Sequence, residues 1–281
     1  MPRTIWLASY PKSGNTWFRI FLASLLYPKR RPLDLNDLPL QTPIASSRIH
    51  FDETLGVPSA LLTPAEAARL RPMADRLLND LWEGSRLVRK AHDAYTWLPD
   101  GRPLMGRAPN FAAIYLLRDP WDVAVSAAHH FSCKLDEAVR HLNNPHFTVA
   151  RNRRGLESQL PQRLLSWEGH ALSWLSAPMP VHLMRFEAMK QDPLSTFRAA
   201  VRFLGFEHDD CAIEEALEAC RFERLQQRER EQRFREAPAK ATGFFRSGAV
   251  GEGRARLSPA QLEGLMRMKR RVDRAIGERF G

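Results

Sequence analysis

The chain has 281 residues, 44% apolar and 26% charged, an ordinary balance for a folded soluble protein with room for one large α/β domain or two small ones. Its formal charge of +10 favours anionic partners: nucleic acid, an anionic membrane surface or a polyanionic cofactor. Cys133, Cys211 and Cys220 make no paired framework, no run reaches the roughly 20 apolar residues of a membrane span, and Pro11-Lys12 breaks the first apolar stretch too early for a secretory leader, so a cytoplasmic protein is expected.

In chain order, Ile5-Trp6-Leu7-Ala8-Ser9 has the pattern of a buried strand and residues 18–26 that of a buried helix. Between them lies Tyr10-Pro11-Lys12-Ser13-Gly14-Asn15-Thr16-Trp17. A strand, a turn of this composition and a helix make the layout of a phosphate cradle. N–H groups at the helix start and the helix dipole favour an anion. Lys12 adds a mobile positive charge, and Ser13 and Thr16 add hydroxyl donors. An ordinary capped turn would also use Ser and Asn. The nucleoside-triphosphate loop G-x-x-x-x-G-K-[ST] sets its Lys after the second Gly. Here Lys12 precedes Gly14 and no Gly lies upstream, so this is not a standard ATP or GTP loop.

Residues 28–58 read as a long irregular segment, of the kind that forms lids and binding loops. Thr63-Pro64-Ala65-Glu66 is a capping box that starts a helix to residue 81 or 82. Residues 86–90 read as a short strand that delivers Lys90-Ala91-His92 to its carboxyl end. Residues 110–117 form the clearest buried strand. Arg118-Asp119-Pro120-Trp121-Asp122 follows it and opens a helix through Ser126 and His129, with Asp119 placed as N-cap. Residues 131–154 read as a polar surface excursion with a basic tip at Arg151-Asn152-Arg153-Arg154. An amphipathic helix is expected over 160–175, a strand over 181–184, and helices over 193–204 and 211–221. Residues 222–235 are a charged amphipathic stretch, 237–253 a glycine-bearing loop, and Ser258-Pro259 caps a last basic helix. Strands alternating with helices predict a P-loop-like α/β fold: a single domain over 1–281, with a mostly parallel central sheet and helices on both faces. Ligands of such sheets bind at the carboxyl ends of strands. The motifs at Lys12, His92 and Arg118 all fall there.

The loop around Lys12 resembles the 5′-phosphosulfate loop of the cytosolic-type sulfotransferases, which use 3′-phosphoadenosine 5′-phosphosulfate (PAPS). Arg118-Asp119-Pro120-Trp121-Asp122-Val123-Ala124-Val125-Ser126 is similar to that family's 3′-phosphate motif, which runs Arg…Asp-Val-Ala-Val-Ser. Arg118 supplies a planar fork matched to phosphate, and Ser126 a hydroxyl one turn beyond Asp122. Phe245-Arg246-Ser247-Gly248-Ala249-Val250-Gly251-Glu252-Gly253-Arg254 resembles the late Arg-Lys-Gly-x-x-Gly-Asp-Trp-Lys segment. It departs from that pattern at Ser247, Glu252, Gly253 and Arg254. Lys90-Ala91-His92 is similar to the Lys-Thr-His segment whose His is the general base.

The resemblance implies a transferase that moves the sulfuryl group of PAPS to a hydroxyl, less favourably an amine, with no metal. Its catalytic residues would be His92 and Lys12. Its donor-binding residues would be Lys12, Ser13, Gly14, Asn15, Thr16, Trp17, Arg118, Ser126, Phe186, Phe222, Arg246, Ser247 and Gly248. Trp17 and Phe222 would flank the adenine. Phe186 stands where the family usually has Tyr and lacks the hydroxyl. The other eight histidines, His129 and His130 included, are expected to be structural or solvated. The acceptor is expected to be a small molecule or natural product, with residues 28–60 and 131–157 as a lid over it. Residues 254–263 are only loosely similar to the family's dimerisation stretch, which leaves monomer and homodimer both open. An ATP- and magnesium-dependent kinase of the same fold would need a Walker-type loop and a strand-end carboxylate such as Asp119. A nucleic-acid-binding protein would need aromatics among the basic clusters at 221–235 and 267–279, which instead alternate with Glu.

Overall fold

A computed structural model describes residues 4–38, 44–84, 86–150, 156–237 and 243–281. Strand β1 (Thr4–Ser9) is buried along its whole length and lies inside a four-stranded sheet. It pairs in parallel with β2 (Leu87–Ala91) on one side and β3 (Phe111–Leu117) on the other. A two-residue antiparallel pair, β4 (Thr148–Val149) with β5 (Gln162–Arg163), lies outside this sheet, whose last strand is β6 (Val181–Arg185), parallel to β3. The order is β2-β1-β3-β6. The chain leaves β1 to one side for β2 and returns on the other for β3. The crevice of such a switch opens beyond the carboxyl ends of β1 and β3.

The helices are α1 (Asn15–Leu26), α2 (Arg48–Leu55), α3 (Pro64–Leu81), α4 (Pro120–His130), α5 (Leu135–Asn143), α6 (Trp167–Leu175), α7 (Phe186–Gln191), α8 (Pro193–Phe203), α9 (Asp210–Ala219), α10 (Phe222–Glu231), α11 (Glu252–Arg256) and α12 (Pro259–Phe280). Two hydrophobic clusters cover the two faces of the sheet. One is built on Trp6, Tyr115, Trp121, Trp167 and Trp174, the other on Ile5, Leu7, Phe18, Phe21 and Phe197. Alternate residues of β1 feed alternate clusters, as the strand period requires. The parallel sheet and two-sided cover are as expected from the alternating pattern. Both expected capping boxes form, Thr63 with Glu66 at α3 and Ser258 with Gln261 at α12.

Four expectations are corrected. Residues 28–58 contain a helical turn at Pro28–Arg30 and the helix α2, capped by Ser47 accepting from the His50 N–H and closed by Gly56. The excursion at 131–154 carries α5 and β4, while the Arg151-Asn152-Arg153-Arg154 tip lies outside the described residues. The helix expected from residue 160 begins only at Trp167, where Ser166 caps it, because residues 162–163 pair with β4. Asp119 stands at the N-cap of α4 but its side chain makes no capping bond. Its carboxylate lies instead 3.7 Å from Lys269 Nζ.

Candidate active site

The loop from β1 to α1 is set by backbone conformation. Lys12 and Gly14 have φ of 74° and 98°, both left-handed. Gly14 suits the loop for a second reason, since a Cβ there would stand 2.9 Å from the Phe186 ring. Asn15 Nδ2 donates to the Leu7 carbonyl (2.9 Å) and to Ser9 Oγ (3.2 Å), which ties the loop back onto β1. No side chain caps the start of α1, and its first turn has no acidic residue. The helix N–H groups are therefore left for an anion. Ser13 Oγ is buried and has no hydrogen-bond partner among the described residues.

Lys12 makes no ion pair among the described residues; its Nζ lies 3.8 Å from the centre of the Phe244 ring. Burial, with Lys90 and Arg118 nearby, pushes its pKa down to about 7. Such a lysine gains most from an incoming anion.

His92 follows β2. Its Nδ1 donates to the Ser9 carbonyl at 2.9 Å, which leaves Nε2 as the acceptor nitrogen. Its backbone carbonyl accepts from His170 Nε2 (3.1 Å), and His170 Nδ1 accepts from the Tyr115 hydroxyl (3.0 Å). Asp93, the next residue, is buried in a bidentate pair with Arg71 at 2.7 and 3.1 Å. Both contacts hold the chain rigid where His92 leaves the strand. Burial and the Lys90 charge lower the His92 pKa to about 3, so the imidazole is neutral at ordinary pH.

Arg118 follows β3. Its guanidinium donates to the carbonyls of Lys12 (3.2 Å) and Ala249 (2.7 Å) and stacks 4.2 Å from the Phe186 ring. Its Nε is buried without a partner among the described residues. It thus bridges the anion loop to the late glycine-bearing segment. That segment is held by Asp122, a residue to which the motif reading gave no separate role. Its carboxylate accepts from the Gly251 N–H (2.7 Å) and the Gly253 N–H (2.8 Å). Gly253 departs from the family pattern for a steric reason: a Cβ there would lie 2.2 Å from the Trp121 carbonyl oxygen. Arg246 is paired with Glu252 at 2.6 and 2.8 Å, and Ser247 Oγ donates to the same carboxylate (2.8 Å). Gly248 has φ of 57° and sits against Phe222.

Trp17 and Phe222 both line the cavity, and Lys190 Nζ stands 5.7 Å from one ring and 5.9 Å from the other. Phe186 is buried between Gly14, Trp17 and Arg118. Its position calls for a flat apolar plate, and no hydroxyl is needed to fill it.

One cavity of about 1360 Å³ collects these groups. Lys12, Gly14, Asn15, Thr16, Trp17, His92, Arg118, Ser126, Phe186, Phe222, Arg246, Ser247 and Gly248 line it. Of the expected residues only Ser13 lies behind the wall. His129 and His130, expected on a solvated face, line it too, because α4 turns its last residues inward beside Phe244. Lys90, Glu236 and Phe244 are further lining residues that no motif singled out for a role. Ile44, Phe131 and Val149 add apolar side chains to the lining. Asp119 is not among the lining residues. No helix among the described residues is long and apolar enough to cross a membrane.

The model of the sulfotransferase domain matches residues 2–273. A cytosolic sulfotransferase of Arabidopsis thaliana is 27% identical over 98% of this chain and 77% of its own length. A flavonol 3-sulfotransferase of Flaveria bidentis is 24% identical over 100% of this chain and 82% of its own. A crystal structure of retinol dehydratase in complex with androsterone and the inactive cofactor PAP superposes with a TM-score of 0.62 at 17% identity, covering 96% of this chain and 80% of that one.

Proposed function

The chain belongs to the sulfotransferase-domain family, and from that premise we propose that it moves the sulfuryl group of PAPS to a hydroxyl of a small-molecule acceptor, leaving adenosine 3′,5′-bisphosphate. An amine is the lesser candidate for the acceptor group. The observation that carries the reading is the convergence of the loop after β1, His92 after β2 and Arg118 after β3 on one cavity. The donor set fits a nucleotide with two anionic ends. Ser13 Oγ and Arg118 Nε are buried donors without partners among the described residues.

In this reading the open N–H groups of α1, with Lys12 and Thr16, hold the 5′-phosphate, and Ser13 backs the loop from behind the cavity wall. Arg118, Ser126, Arg246, Ser247 and Gly248 hold the 3′-phosphate, and Trp17 and Phe222 flank the adenine. Asn15 keeps the loop in shape, and Phe186 and Gly14 set the floor. When bound, the donor supplies a sulfuryl group that exchanges its bond to a phosphate oxygen for a bond to the acceptor oxygen. His92 Nε2 takes the acceptor's proton. Lys12 would offset the charge that develops on the departing phosphate oxygen. Positioning and electrostatics do most of this work, as in phosphoryl transfer.

Ile44, Phe131 and Val149 come from the two excursions at 28–60 and 131–157, which supports their role as the cover over an apolar-bodied acceptor. The relatives' names point the same way: one acts on a flavonol, and the solved retinol dehydratase holds androsterone. A natural-product alcohol or phenol, taken in the cytoplasm by a monomer or homodimer, completes the proposal. Nucleic acid has no part in it, since the basic clusters at 221–235 and 267–279 alternate with Glu. The kinase alternative loses its carboxylate, because Asp119 faces Lys269 away from the cavity.

Adenosine 3′,5′-bisphosphate should raise the melting temperature without magnesium, and ATP with magnesium should do so much less. The reverse order in a thermal-shift assay would overturn the reading. Arg118→Ala should weaken the bisphosphate by roughly tenfold to a hundredfold, the scale of a charge-assisted contact. Adenosine 5′-phosphate, lacking the 3′ group, should lose far less. Arg118 also holds the Lys12 carbonyl, so calorimetry with both ligands is needed; equal losses would make Arg118 a structural residue only.

A further inference from the structure

Lys90 is the second lysine of the cavity and stands two residues before His92, where β2 ends. Glu236 holds it. Glu236 Oε2 accepts from Lys90 Nζ at 3.0 Å and from Thr16 Oγ1 at 3.4 Å, while Oε1 accepts from Arg19 Nη1 at 2.7 Å. One carboxylate therefore joins the end of β2 to the first turns of α1. Glu236 is itself fixed in place. Phe234, two residues before it, is buried against Phe244 and Phe245 at 5.0 and 5.7 Å between ring centres. Asn36 Oδ1 accepts from the Arg235 N–H (2.7 Å), and Asn36 Nδ2 donates to the carbonyls of Gln232 and Arg233. Arg19 is buried on α1, so its grip on Oε1 comes from the protein side.

We propose that Glu236 is a positioning residue for the transfer, which keeps Lys90 charged and aimed into the reacting end of the cavity beside His92. The inference rests on the sulfuryl-transfer reading above.

The charges around Lys90 require such a group. Lys12 faces it from the anion loop, Arg19 from α1, His92 from the end of its own strand and His130 from α4. Glu236 is the carboxylate that touches it, while Glu229 of α10 faces Lys12 instead. Burial and Arg19 lower the Lys90 pKa, and Glu236 raises it. The Glu236 pKa is held at about 2 against its own burial by Lys90 and Arg19, so it stays ionised throughout the working range. Without it a buried ammonium would be left beside the cations Lys12 and Arg19 and the neutral rings of His92 and His130, and would give up its proton, and with it the charge that attracts the sulfuryl oxygens. A carboxylate in an anion site could instead be a stand-in that the donor expels. The anchoring by Arg19 and the Asn36 clamp favour a fixed part.

Glu236→Gln keeps the shape and removes the charge; Glu236→Asp keeps the charge on a shorter arm. Expected for Glu236→Gln is a single-turnover rate lower by about tenfold or more and a basic limb moved about one pH unit to the acid side. Bisphosphate affinity should stay within about threefold of wild type. Glu236→Asp should recover part of the rate and of the limb. The Lys90 titration is read independently by NMR of protein with 13C-labelled lysine, its signal identified by its loss in Lys90→Gln. The midpoint should fall in Glu236→Gln and return towards wild type in Glu236→Asp. An unmoved midpoint overturns the proposal. Tighter bisphosphate binding or unimpaired transfer in Glu236→Gln overturns it in favour of an expelled stand-in. Failure of wild-type protein to bind the bisphosphate would strike the sulfuryl-transfer reading instead, while the NMR titration still decides whether Glu236 controls the charge of Lys90.

Discussion

Replacing His92 by Gln should lower turnover by about 10²- to 10⁴-fold, the usual contribution of a general base, and leave bisphosphate affinity within about twofold. The asymmetry comes from geometry. His92 Nδ1 is committed to the Ser9 carbonyl, so Nε2 is the nitrogen left for a proton. None of the groups that would hold the two phosphates hydrogen-bonds to the His92 ring. The sign of the pH effect follows from the lowered pKa. A base loses activity as it is protonated, so the acid limb of kcat/KM lies at the free-enzyme pKa of the base. With His92 pushed down to about 3 by burial and Lys90, kcat/KM should stay level from about pH 7 to about pH 5, past the ordinary imidazole value of about 6.5. A limb near 6.5 that persists in the residual activity of His92→Gln would assign the base elsewhere. Loss of bisphosphate binding with normal transfer at saturation would move His92 into the donor pocket.

The parts of the fold that were legible are those where one local rule suffices. Residues 5–9 and 110–117 are apolar runs bounded by turn signals, and strands form over 4–9 and 111–117. Thr63 with Glu66 and Ser258 with Gln261 are complete capping signatures, and both caps form. The grouping of the candidate site was legible because its motifs sit beside strand ends, and parallel pairing of β1 with β2 and β3 brings those ends together. What escaped depends on distant partners. Glu236 lies 146 residues from Lys90 and 217 from Arg19 in the chain, and its neighbours are charges that read as a solvated face. Helix α2 escaped because only Phe51 of its eight residues is buried, which leaves no periodic stripe to find. The apolar spacing of residues 160–166 predicts helix because it cannot reveal a strand partner at 148–149. Gly253 looked like a loss of the family pattern. The Trp121 carbonyl that excludes a side chain there belongs to another element and leaves no mark near residue 253.

Lys12→Ala should weaken PAPS and the bisphosphate together and also slow transfer at saturation, each by about tenfold to a thousandfold. In the proposed reading His92 would serve only the acceptor's proton, whereas Lys12 would serve the phosphate before, during and after transfer, so its loss should not leave affinity untouched. The pKa of about 7 adds a sharper test. In the free protein burial, Lys90 and Arg118 disfavour the ammonium, and Lys12 makes no ion pair among the described residues that would offset them. An anion beside it reverses that balance and raises its pKa. Below about pH 7 the lysine is already charged and binding takes up no proton through it. Above that, part of the protein must bind a proton together with the ligand, and affinity falls as pH rises. Calorimetry of the bisphosphate above neutrality in buffers of different ionisation enthalpy should therefore show proton uptake in wild-type protein. Lys12→Ala should abolish most of that uptake along with the affinity. Lys90 is distinguished by the same measurement, because Glu236 already holds its proton in the free protein. Lys90→Gln should keep the uptake but move it to higher pH, since the Lys90 charge is one cause of the lowered Lys12 pKa. If uptake survives in Lys12→Ala and vanishes in Lys90→Gln, the cation that answers the phosphate is Lys90, and the role given to Lys12 is wrong.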